Sequence, residues 1–182
     1  MNQESPGFSR GECQDKAIVT ASSSKIYSMA GTRVGWIVCH DARTRAQLFN
    51  WRSYDSICGG VFDEWIFAIA LEHVDKIFAR SRSIVNKNKA IIDQWIERNP
   101  YLHQYADAYG TTYLVHYDLD VPAEKFCDDL LDKKGVLVCH GDCFYIPHSF
   151  RISLSHAEHL EEGLRLIDEY IDELVAQGKA LR

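Results

Sequence analysis

Lys25 lies in a short stretch of small and hydroxyl-bearing residues, where a lysine is unusual unless its amine is used. Ser22, Ser23 and Ser24 precede it, and Arg33 follows eight residues later. In a partly desolvated site a lysine amine loses its proton and attacks aldehydes or ketones. Hydroxyls and a planar guanidinium bind phosphate. Pyridoxal phosphate needs both an amine nucleophile and groups that bind its phosphate. The alternative is a surface lysine in a serine-rich turn and an arginine paired with a carboxylate.

A second candidate is Arg151, which lies between Phe150 and Ile152 near the end of the chain. We expect residues 150–154 to form a strand with the arginine directed inward. An inward guanidinium between apolar neighbours requires an anionic partner. Arg151 therefore predicts a binding site for an anion.

Two further groups of residues could do chemistry. Cys139, His140, Cys143 and His148 have the side chains that zinc prefers. Cys139, however, ends a predicted strand whose alternation explains it as a core thiol, so we predict no metal. The other thiols and the eight histidines show no pairing of a nucleophile with a base, which disfavours thiol catalysis.

The elements that must position these residues are strands and helices in alternation. A strand over 16–20 and another over 33–39 flank Lys25. Apolar residues recur at three- and four-residue steps over 61–98, which predicts a long helix, bent or broken. The remaining predicted elements are a strand over 110–117, a helix from Pro122 to Gly135, strands over 136–139 and 150–154, and a final helix that opens with a capping box at Ser155–Glu158.

Composition excludes several classes of protein. The 182 residues include 12% aromatic ones, too many for a disordered chain. A net charge of −6 argues against a general nucleic-acid binder. No apolar run reaches the roughly 20 residues of a membrane span, and the polar start has no signal-peptide core. Six cysteines without an export signal are expected to be reduced, so we expect a cytoplasmic protein.

The stretch around Lys25 resembles the cofactor-lysine signature of the class I/II aminotransferases, which are fold-type-I pyridoxal-phosphate enzymes. In that family S-x-S-K is followed by P-G-x-R-x-G-W. Here Ser22–Lys25 matches the first part and Ala30–Trp36 the second, with Ala30 in the place of the proline. The resemblance implies that Lys25 forms the Schiff base with the cofactor and that Ser22, Ser24 and Arg33 bind its phosphate.

A second, independent match lies near the end of the chain. Residues 135–144 and 149–154 resemble the family's G-V-x-V-x-P-G-x-x-F segment and its F-R-I strand. His140 stands where the family has proline. The resemblance implies that Arg151 binds the α-carboxylate of the substrate.

The resemblance covers the chain from Lys16 onward and implies the C-terminal part of a fold-type-I α/β transferase. We expect a polar leader over 1–15 and a remnant of the large cofactor-binding domain over 16–60. A connecting helix over 61–99 and a small α/β domain over 100–182 follow. Family members carry a longer N-terminal part with the groups that contact the cofactor ring, so a truncated or split chain is expected.

The implied activity is a transaminase of amino acid metabolism that acts on an amino acid and a 2-oxo acid. The expected partner is a second copy, as a homodimer, or a complementary N-terminal half. Two alternatives stay open. One is a related pyridoxal-phosphate lyase or cyclising synthase. The other is a non-catalytic fragment that associates with a full-length or complementary subunit.

Overall fold

A computed structural model describes residues 17–25, 27–105, 110–155 and 158–181. The polar leader predicted over 1–15 lies outside the described residues. The chain divides into two compact units, Met1–Ser81 and Arg82–Arg182, and each is described by itself.

The first unit is built on a β-hairpin that carries Lys25 in its loop. Strand β1 (Ile18–Ser22) pairs antiparallel with β2 (Gly35–Cys39), in a register that places Ser22 opposite Gly35. A single 3-10 turn over Ala30–Thr32 lies between them. Both predicted strands are confirmed, but β2 begins at Gly35 because Arg33 adopts left-handed backbone geometry, with φ at 50°.

Three helices follow the hairpin: α1 (Ala42–Asp55), α2 (Val61–Glu72) and α3 (Val74–Arg98). The helical prediction over 61–98 is confirmed, and the helix is broken at His73. Helix α1 was not predicted, because its apolar residues do not form a stripe along one face. Its first turn is capped by Asp41, whose carboxylate accepts a hydrogen bond from the Thr44 amide at 2.6 Å.

The first unit leaves most of its large apolar side chains exposed. Among its described residues, the only buried apolar ones are Phe67 and Ala70, while Trp51 is 71% exposed and Trp65 is 64% exposed. The exposed set, named here the apolar surface, consists of Ile18, Ile37, Val38, Phe49, Trp51, Tyr54, Ile57, Val61, Phe62, Trp65, Ile66, Ile69 and Leu71. Contiguous exposed apolar patches are typical of surfaces that contact another protein segment.

The second unit has a well-filled core between an antiparallel sheet and its helices. The sheet order is β3 (Leu102–His103), β4 (Thr112–Tyr117), β6 (Ser149–Ser153) and β5 (Cys139–His140). The helices are residues 82–98 of α3, α4 (Ala123–Lys134) and α5 (Leu160–Ala176). Alternate residues of β4 and β6 are buried, as Val115 and Phe150 are, and pack with apolar residues of the helices.

Two predicted boundaries in the second unit are wrong. The strand predicted over 136–139 is reduced to Cys139–His140, since Val136 and Val138 pack against the core outside the sheet ladder. Helix α5 begins at Leu160 rather than at Ser155, and its N-cap residue His159 makes no side-chain capping bond. The left-handed φ of His159, 62°, prevents the helix from starting earlier.

No helix within the described residues is both long enough and apolar enough to span a membrane.

Candidate functional site

The loop between β1 and β2 carries the four residues predicted to bind the cofactor: Ser22, Ser24, Lys25 and Arg33. Ser22 is the last residue of β1, and its hydroxyl accepts a hydrogen bond from the Ser24 amide at 3.4 Å. Both serines are half-buried, while Lys25 in the turn after them is exposed. The loop therefore offers two hydroxyls and an accessible amine within four consecutive residues.

Arg33 lies at the other end of the same loop. Its guanidinium Nη1 donates to the Ala30 carbonyl at 2.9 Å, and the side chain is exposed. The left-handed backbone of Arg33 costs about 1–2 kcal/mol for a residue with a Cβ. Strain of this size persists only where the surrounding bonds hold the loop in one shape.

Ser23 and Thr32 supply those bonds, a role that was not predicted from the sequence. The Ser23 side chain is 0% exposed, and its hydroxyl lies 3.0 Å from the Thr32 hydroxyl. The single hydrogen of the Ser23 hydroxyl has the Thr32 hydroxyl and the Val34 carbonyl as acceptors, each at 3.0 Å, and the Thr32 hydroxyl donates to the Met29 carbonyl at 2.9 Å. Two hydroxyl residues that flank a lysine and an arginine were the signal available in the sequence.

Tyr27 and Trp36, close to Lys25 in sequence, serve as packing residues. Tyr27 contacts the rings of Trp36, Phe67 and Phe78, with centroids 6.1, 5.1 and 5.3 Å away. Trp36 also stacks on Phe67 at 5.6 Å. This aromatic cluster anchors the hairpin to the helices of the first unit.

Arg151 lies in the second unit, on β6, and the prediction that it points inward is wrong. Phe150 and Ile152 are buried, whereas Arg151 is exposed, because successive residues of a strand point to opposite faces. Its guanidinium carbon lies 5.1 Å from the centroid of the Phe144 ring, which is a cation–π contact. Arg151 is therefore accessible to an anion on the open face of the sheet.

Cys139 is half-buried and shares that open face, so its prediction as a core thiol is also wrong. It is the register partner of Arg151, and cross-strand partners point the same way. Nearby, the Cys143 sulfur lies 3.4 Å from His140 Nε2. Desolvation and the neighbouring Cys139 raise the pKa of Cys143, which disfavours the thiolate that nucleophilic catalysis needs.

No group of three or more His, Cys, Asp or Glu side chains in the described parts of the chain is arranged to hold a metal ion.

Gly141, in the loop before β6, leaves no room for a side chain. A Cβ at this position would overlap the Ser149 hydroxyl and the Ile146 carbonyl. We expect Gly141→Ala to lower the free energy of unfolding by about 2–3 kcal/mol through this overlap. The control is Gly163→Ala in α5, where a Cβ meets no atom within 4 Å. This substitution is expected to raise the free energy of unfolding by about 0.5–1 kcal/mol. Equal effects in urea titrations of the two variants contradict the prediction.

The donor set of the hairpin loop fits pyridoxal phosphate. The hydroxyls of Ser22 and Ser24 and the guanidinium of Arg33 suit a phosphate dianion. The Lys25 amine suits the aldehyde. These four residues belong to the first unit and Arg151 to the second.

The chain matches a known protein family. The family described as aminotransferase class I and II matches residues 8–167, which is most of the chain.

Individual relatives agree with this match. A crystal structure of a PLP-dependent aminotransferase from Streptococcus suis is 35% identical, with a TM-score of 0.83 over 88% of this chain and 43% of that one. The capreomycidine synthase of Streptomyces vinaceus is 26% identical over 157 residues, 85% of this chain and 40% of its own.

The histidinol-phosphate aminotransferase of Symbiobacterium thermophilum is 29% identical over 164 residues, 85% of this chain and 41% of its own. The chain thus spans about 40% of the length of the curated relatives that it matches. The structure corresponds to the C-terminal portion of the fold-type-I transferases, and the family and its PLP-dependent structural neighbour imply pyridoxal phosphate as the cofactor.

Proposed function

Because the chain belongs to the class I and II aminotransferase family, we propose that it transfers an amino group between an amino acid and a 2-oxo acid. Lys25 is the residue that bonds to pyridoxal phosphate, and Arg151 binds the carboxylate of the substrate. The observation that carries the proposal is the hairpin loop, where two serines, a lysine and an arginine lie together on a backbone held by buried hydrogen bonds.

Pyridoxal phosphate, when bound, supplies an aldehyde that bonds to amines and a ring that accepts electrons from the Cα of an amino acid. The Ser22 and Ser24 hydroxyls would donate hydrogen bonds to its phosphate, and Arg33 would add a planar pair of N–H donors. Arg33 can turn toward a phosphate because, among the described residues, its guanidinium is held by one hydrogen bond, to the Ala30 carbonyl. The phosphate end of the cofactor is thereby fixed by residues of a single loop.

The Lys25 amine has two tasks. It would hold the aldehyde of the cofactor. When free, it would take the proton from the Cα of the substrate as a general base and give one back as a general acid. Its exposed position on the turn leaves the amine free to move between these tasks.

Arg151 orients the substrate. Its two parallel N–H groups match the two oxygens of a carboxylate. The Phe144 ring, 5.1 Å from the guanidinium carbon, restricts the side chain to the open face of the sheet. A carboxylate fixed at one end determines which bond to Cα is broken, which is a positioning effect.

The apolar surface of the first unit has a role in assembly within this proposal. Its residues include Trp51, Trp65 and Phe62, each more than half exposed. We propose that this surface packs against the part of the family fold that the chain does not match, on the same or on a separate polypeptide. A homodimer is the further assembly expected from the family resemblance.

Two other functions are supported by particular observations. The similarity to the capreomycidine synthase favours a related lyase or cyclising synthase. The apolar surface favours a non-catalytic piece that associates with a complementary or full-length subunit. The transaminase and the lyase or synthase differ in the products they form, and the non-catalytic piece forms none.

A product screen tests the proposal. The chain is co-expressed with the N-terminal section of the Streptococcus suis enzyme, which is the section that this chain does not match. The two are then supplied with pyridoxal phosphate, single amino acids and a 2-oxo acid. We expect a new 2-oxo acid, detected by mass spectrometry, and none with Lys25→Ala. Ammonia or a cyclised product indicates the lyase or synthase, and unchanged substrates contradict catalysis.

A further inference from the structure

Ser23 joins the two halves of the Lys25 loop through its backbone as well as its hydroxyl. Its amide donates to the Val34 carbonyl at 2.9 Å, and its carbonyl accepts from the Met29 amide at 3.2 Å. Its buried hydroxyl lies 3.0 Å from the same Val34 carbonyl and 3.2 Å from the Met29 carbonyl. Ser23 is the only buried polar residue among the described residues of the first unit.

Thr32 completes this arrangement from the opposite side of the loop. Its hydroxyl lies 3.0 Å from that of Ser23 and donates to the Met29 carbonyl at 2.9 Å. Lys25 follows Ser23 by two residues, and Arg33 follows Thr32 directly. The contact between the two hydroxyls therefore joins the segment that carries the amine to the segment that carries the guanidinium.

We infer that Ser23 and Thr32 are positioning residues, which hold Lys25 and Arg33 at the spacing needed for pyridoxal phosphate before the cofactor binds. The inference rests on the proposed function, in which Lys25 and Arg33 hold the cofactor. Neither Ser23 nor Thr32 touches the cofactor in this account. A loop that is ordered beforehand loses less conformational freedom on binding, so the pair raises cofactor affinity.

Paired substitutions of Thr32 separate its hydroxyl from its shape. Thr32→Val keeps the volume and removes the hydroxyl, while Thr32→Ser keeps the hydroxyl. Ser23→Ala removes the other member of the pair. Ser28→Ala is the control, because Ser28 is exposed on the same loop and its hydroxyl bonds to Ser81 rather than to the pair.

Two measurements are compared on the full chain, co-expressed with the N-terminal section used in the product screen. The first is amide hydrogen exchange of peptides over 23–34 without cofactor, and the second is the concentration of pyridoxal phosphate that half-saturates borohydride-trapped labelling of Lys25. We expect Ser23→Ala and Thr32→Val to speed exchange in the loop and to raise that concentration about tenfold, a typical cost of one buried hydrogen bond. Thr32→Ser and Ser28→Ala are expected to stay within about twofold of the wild type.

Each other outcome overturns a specific statement. If Lys25 is labelled equally well in all the variants, the positioning role is wrong while the proposed function stands. If Thr32→Ser weakens labelling as much as Thr32→Val, shape rather than the hydroxyl is responsible and the inference fails. If the wild-type chain is labelled elsewhere or not at all, the proposed function itself is contradicted.

Discussion

Replacement of Lys25 by alanine is expected to lower the rate of amino-group transfer by about 10³-fold or more in any assembly in which the chain is active. The variant loses both the covalent attachment to the cofactor and the general base, which alone contributes about 10²–10⁴-fold. The measurement is the single-turnover rate of 2-oxo acid formation, followed by mass spectrometry. Because Lys25 is exposed, its replacement is expected to leave the fold unchanged.

The matched control for this variant is Lys76→Ala, which removes an exposed lysine from α3 in the same unit. Its transfer rate is expected to remain within about twofold of the wild type. Equal losses in the two variants indicate a general effect of lost positive charge and contradict a specific role of the Lys25 amine.

Replacement of Arg151 by alanine is expected to lower kcat/KM for amino acids by about 10²–10³-fold, since an unpaired substrate carboxylate forfeits a bidentate charge-assisted bond. Arg151→Lys keeps the charge but loses the planar fork, so an intermediate loss is expected. The loss should vanish when the substrate is the corresponding amine without a carboxylate. Steady-state kinetics with each amino acid and its amine measure this difference.

The control for this series is Arg98→Ala, another exposed arginine of the second unit, whose guanidinium lies 3.5 Å from Asp168. It is expected to change kcat/KM by less than about twofold, because exposed ion pairs contribute little. If Arg151→Ala impairs the amine as strongly as the amino acid, Arg151 does not act on the carboxylate.

Local signals in the sequence predicted the elements that have clear ends. Helix α4 begins after Pro122 and ends at Gly135, whose φ of 70° only glycine adopts easily. The strand over 110–117 was predictable because alternate residues are buried, such as Tyr113 and Val115. The break at His73 agrees with a helical pattern too long for one straight helix.

Elements that depend on distant packing were not predictable in the same way. The apolar residues of helix α1 do not form a stripe along one face, so the sequence pattern did not indicate a helix. In the structure, Phe49, Trp51 and Tyr54 of this helix are all exposed. The orientation of Arg151 was misjudged, since its apolar neighbours on the strand face the opposite side of the sheet. The shape of the Lys25 loop depends on hydrogen bonds between residues nine to eleven apart, Ser23 with Thr32 and Val34, which no local pattern reveals.

The most direct test of the central claim is to identify which lysine captures the cofactor. The chain, purified together with the co-expressed N-terminal section used in the product screen, is mixed with pyridoxal phosphate, reduced with borohydride and digested, and the modified peptide is sequenced by mass spectrometry. We expect one label per chain, on Lys25, and its loss in Lys25→Ala. Labels scattered over other lysines, or no label at all, contradict the claim that this hairpin is the cofactor site.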